Sequence, residues 1–84
     1  MLFKILGACR IEDEMSLMLL EYGTSSPFLV RFPEIHPIWS EIGDQTGIDP
    51  LEMLFSPHVL MNQTVNLQPY VEFFYVRSSP EAQA

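Results

Sequence analysis

The sequence predicts an α+β domain: a small antiparallel sheet of three to four strands with two short helices packed on one face. Three observations carry this expectation. Runs rich in alternating, β-branched or aromatic residues lie at residues 2–11, 28–32 and 70–77. Two adjoining helical signals, each with a proline at its start, fill residues 35–55. The chain has 84 residues, of which 48% are apolar and 18% charged, a composition that folds as one domain.

Residues 2–11 alternate as a strand, with Phe3, Ile5, Cys9 and Ile11 on one face and Leu2, Leu6 and Ala8 on the other. The acids Glu12, Asp13 and Glu14 suit a turn. Residues 15–22 fit a hairpin strand or a helix closed by Gly23, and their shortness and two-sided apolarity favour the strand. Phe28–Phe32 reads as a strand that Pro33 stops, because proline offers no ladder donor.

Ile35, Ile38, Trp39 and Ile42 make one helical stripe, with Pro37 in the first turn and Gly43 or Gly47 at the end. Asp49, Pro50 and Glu52 form a second helix start, with Leu51, Leu54 and Phe55 as the expected buried stripe and Ser56-Pro57 as its end. Residues 58–69 read as irregular, with a short strand at 64–67. Residues 70–77 are expected to be the final strand, ahead of a flexible polar tail at 78–84, so the globular domain spans 1–77.

Net charge is −7, and residues 11–60 set nine acids against Arg31 alone. Nucleic-acid binding needs a basic stripe, so direct contact with DNA or RNA is not expected, and an anionic membrane would repel the chain. No apolar run approaches the ~20 residues of a membrane span. Leu6-Gly7-Ala8-Cys9 has the form of a lipobox, but Lys4 interrupts too short an apolar run for an export signal. A lone cysteine fits a reducing cytoplasm, the expected location.

Chemistry is scarce in this pattern. Cys9 lies mid-strand on an apolar face, which favours a buried, inert thiol over a nucleophile served by His36 or His58. The histidines are far apart in sequence, and residues 44–52 lack the calcium-loop spacing. The four glycines form no phosphate loop. No catalytic residue, metal or cofactor is therefore expected.

A sheet with one wet face alternates apolar and polar residues, and these strands are apolar on both. Two short helices cover one face. The other awaits either the loop at 57–69, with Val59, Leu60, Met61 and Leu67, or a partner. The expected function is that of a non-catalytic adaptor or regulator binding another protein, with homodimerisation. Its contacts are expected at Tyr70, Phe73 and Tyr75 on an aromatic sheet face, with Trp39 as an anchor that core packing equally explains. Glu41 and Asp44 belong to the alternative, an acidic inhibitor of the nucleic-acid-mimic or anti-defence type that occupies a basic groove. A small enzyme with an unrecognised site is the third reading.

Overall fold

A computed structural model describes residues 1–78, with side chains through residue 74. Four strands form one antiparallel sheet in the order β3-β2-β1-β4: β1 (Leu2–Ile11), β2 (Glu14–Glu21), β3 (Phe28–Pro33) and β4 (Thr64–Asn66). Helices α1 (Pro37–Thr46) and α2 (Pro50–Phe55) follow β3, and α3 (Val71–Ser78) follows β4. The α+β expectation holds, and residues 15–22 are essentially strand.

β1 and β2 are joined at Glu12 and Asp13, with Glu12 in the left-handed region at φ 59°. Their register shifts between Ile5 and Gly7. This bulge makes Leu6 an extra residue and reverses the alternation beyond it. Ala8 pairs with Leu17 and Arg10 with Met15, so these follow Phe3 and Ile5 on the covered face. Cys9 and Ile11 turn to the opposite face, and both are exposed. The single face expected for Phe3, Ile5, Cys9 and Ile11 is thus split, and the thiol is not buried.

α1 opens on His36, whose imidazole Nδ1 accepts the Ile38 N–H at 3.0 Å. It closes on Gly47 at φ 77°, whose N–H reaches the Gly43 carbonyl at 2.8 Å. α2 opens on Asp49, which accepts the Leu51 N–H at 2.9 Å, with Pro50 in its first turn. The Asp49 cap and the close at Gly47, one of the two glycines offered, agree with the sequence reading, and the His36 cap is new.

Residues 70–77 correct the expected final strand. A 3-10 turn at Gln68–Tyr70 leads straight into α3. The Asn66 side chain accepts the Gln68 N–H at 3.1 Å and sets the entry. Tyr70, Val71 and Phe74 lie at helical spacing, and all three pack on the core. Aromatic and β-branched composition suggested a strand, and tertiary packing overrode it. The tail expected at 78–84 lies, beyond Ser78, outside the described residues.

The core sits on one face of the sheet. Phe3, Ile5, Leu17, Leu19, Val30 and Phe32 meet Ile38, Trp39, Ile42, Met53 and Phe74 from the helices. Leu60 and Leu67 from the 57–69 segment also join this side, so that segment thickens the covered face. Four rings lock the centre: Phe74 lies edge-on to Phe3 at 5.6 Å and to Phe32 at 5.8 Å, and Phe28 stands 5.9 Å from Phe3.

Candidate interaction surfaces

The outer sheet face follows from strand pairing. Gly7 pairs with Met18 and Met18 with Leu29, which puts these three in one central row. Lys4 pairs with Leu20 on one side of that row. Cys9, Ser16 and Arg31 form the next row on the other side. Leu2, Ile11, Met18 and Leu29 are exposed. A shallow depression of about 230 Å³ lies among Gly7, Cys9, Ser16, Met18 and Leu29. Nothing stands within 4 Å of where a Gly7 side chain would begin, so the bulge leaves the depression open.

Polar groups ring this apolar centre. Arg31 reaches Glu14 at 3.5 Å, and Tyr22 shares a hydrogen bond with Thr64 at 2.8 Å. An apolar centre with a polar rim is the usual anatomy of a protein contact.

The helical side differs in shape and charge. α2 buries Met53, and of the stripe expected to face the core Leu54 packs against it in part while Leu51 and Phe55 point outward. A helix of six residues has fewer than two turns, and its rotation is set by its neighbours more than by its own periodicity. Leu51 is 62% exposed and Phe55 82%, while Ile35, expected in the α1 stripe, is 91% exposed in the loop before that helix.

The residues expected to meet a partner are scattered. Trp39 belongs to the core, being 3% exposed, with its indole N–H donated to the Pro33 carbonyl at 2.7 Å. Tyr70 is half-buried beside His36 and Phe32, with ring distances of 5.8 and 6.5 Å. Phe73 is partly exposed, and its ring lies 5.0 Å from Phe32. They sit on or before α3, not on a sheet face, because residues 71–78 are helical. The side chain of Tyr75 lies outside the described residues. Glu41 accepts a hydrogen bond from Gln45 at 2.9 Å along α1, and Asp44 edges a depression of about 390 Å³ with Gly47 and Asp49. Sequence reasoning missed Met18 and Leu29 as surface residues, although both stand opposite the buried alternation of their strands. It could not foresee Phe55.

Cys9, Arg10 and His58 line one depression of about 470 Å³, which the fold assembles from β1 and the turn after α2. Arg10 is engaged by Glu34 at 2.7 Å. Among the described residues, no group of three or more His, Cys, Asp and Glu could hold a metal ion. Burial beside Phe32 and Tyr70 holds His36 below the ordinary imidazole value of 6.5. A neutral imidazole is what the cap requires, since Nδ1 must accept. No described helix is long and apolar enough to cross a membrane.

No protein-family model, curated protein or solved structure matches this chain.

Proposed function

We propose that the chain is a small, non-catalytic adaptor or regulatory protein of the cytosol that binds other protein chains, and that its outer sheet face joins two copies. One observation carries this reading. The helices cover a single face of the sheet, while the other presents Leu2, Ile11, Met18 and Leu29 to solvent. Apolar area of this kind is removed from water at about 25 cal/mol per Å² on association.

Charge favours a second copy at this face. Two chains of −7 repel each other. Lys4 and Arg31, two of the four Lys and Arg residues, lie on the outer face by strand register, so repulsion is weakest there. Tyr70 and Phe73 enter this reading only as core-flanking residues.

Sedimentation velocity tests the proposal. The unaltered chain is expected to sediment as a dimer of a 9.7 kDa subunit. Met18→Glu and Leu29→Glu, each with thermal unfolding and circular dichroism unchanged, are expected to sediment as monomers. Dimers that survive both substitutions would place the contact elsewhere, and a monomeric parent would remove it.

A further inference from the structure

The helical side carries an apolar strip in an acidic field. Ile35, Leu51, Leu54 and Phe55 lie along two depressions that share Leu54 as a common wall. One, of about 450 Å³, runs between the loop before α1 and α2 with Trp39 in its lining. The other continues past Phe55 to Pro57 and His58.

Between Arg31 and Arg77 the sequence has no Lys or Arg and six acids: Glu34, Glu41, Asp44, Asp49, Glu52 and Glu72. Glu34 is neutralised by Arg10. Arg10 and Glu34 are also the Lys/Arg and Asp/Glu residues in the lining of the two depressions. Asp44 and Asp49 line the adjoining depression, which shares Ser40 and Pro50 with the first, Glu52 neighbours Leu51, and none of these three acids meets a Lys or Arg among the described residues. The α1–α2 end of the strip therefore borders negative charge.

That charge selects the occupant. A second copy would bring the same acidic layer against itself, and nucleic acid or an anionic lipid surface would be repelled. A protein segment with apolar side chains on one face and Lys or Arg beside them satisfies both features. Two turns of helix place three or four apolar side chains on one face, which matches a strip of four. We propose that the groove along Ile35, Leu51, Leu54 and Phe55 binds a basic amphipathic helix of a partner protein. This does not depend on dimerisation through the sheet face, whose depression meets the far end of the groove at Ala8 and Cys9.

Selection from a displayed library of random peptides, about 16 residues each so that four helical turns fit, tests the proposal without presuming a sequence. The enriched peptides are then titrated against Trp39 emission, since Trp39 is the sole tryptophan and lines the groove. The expected winners carry net positive charge and apolar residues at i, i+3, i+4 and i+7. Their affinity is expected to fall at least about tenfold in the Leu51→Ser, Phe55→Ser double variant. It is also expected to weaken as sodium chloride rises from about 50 to about 500 mM. Met18→Glu is expected to bind them unchanged, which separates this groove from the sheet face. Failure to enrich any peptide overturns the proposal. So do neutral or acidic winners, strand-like alternation, or equal binding to the double variant.

Discussion

Two residues set local terms that single substitutions can read. His36 caps α1 through a neutral nitrogen, and burial lowers its pKa below 6.5. Between the lowered folded value and 6.5 the unfolded chain binds more protons, so stability rises with pH in that window. The contribution is complete above the unfolded pKa and is lost as pH falls through the folded one. His36→Asn keeps a cap acceptor and removes the titration. Its melting temperature is expected to change less between pH 7.5 and pH 5.5 than that of the parent, as read by thermal denaturation. Glu12, at φ 59°, holds a conformation that costs an ordinary side chain roughly 1 kcal/mol. Glu12→Gly is therefore expected to raise stability by up to about 1 kcal/mol in urea unfolding, less whatever the extra flexibility of glycine removes.

At the level of elements, α3 is anchored by Phe74, with Val71 packed beside it. Phe74 is fully buried among Phe3, Phe28 and Phe32. Phe74→Ala is expected to cost about 3–5 kcal/mol and to loosen α3 from the sheet, measured by chemical unfolding and by loss of helical signal. The corner between α1 and α2 is equally tight. A Cβ on Gly43 would stand 3.0 Å from the Ile48 carbonyl and 3.4 Å from the Pro50 ring. Gly43→Ala is expected to destabilise by about 1–3 kcal/mol although alanine favours helices. These elements also show what the sequence could reveal. Strands β1 to β3, the Asp49 cap, the glycine end of α1 and the stops at Pro33 and Ser56 were legible, because alternation and capping are local, whereas the His36 cap was not foreseen. The helix at 71–78 was not legible, since its composition favours a strand and the packing of Tyr70, Val71 and Phe74 on the core decides otherwise. The bulge at Leu6 was invisible for the same reason, and with it the exposure of Cys9. The rotation of α2, which turned Leu51 and Phe55 outward, depends on which neighbour receives Met53.

The whole molecule has two unlike sides. One is the outer sheet face, apolar at its centre and bordered by Lys4, Glu14 and Arg31. The other is the helical layer, apolar in a strip with acids beside its α1–α2 end. An apolar interface and an acidic one were drawn as rivals from the sequence, and each of these two surfaces is proposed to carry one. The central claim, that the sheet face is where two copies meet, is tested most directly by the lone thiol. Cys9 is exposed and lines the depression with Gly7, Met18 and Leu29. Its alkylation rate by iodoacetamide is measured from dilute to concentrated protein. The account predicts a rate that falls steeply as concentration rises in the parent chain and stays constant in Met18→Glu. Equal rates at every concentration in the parent chain would contradict it.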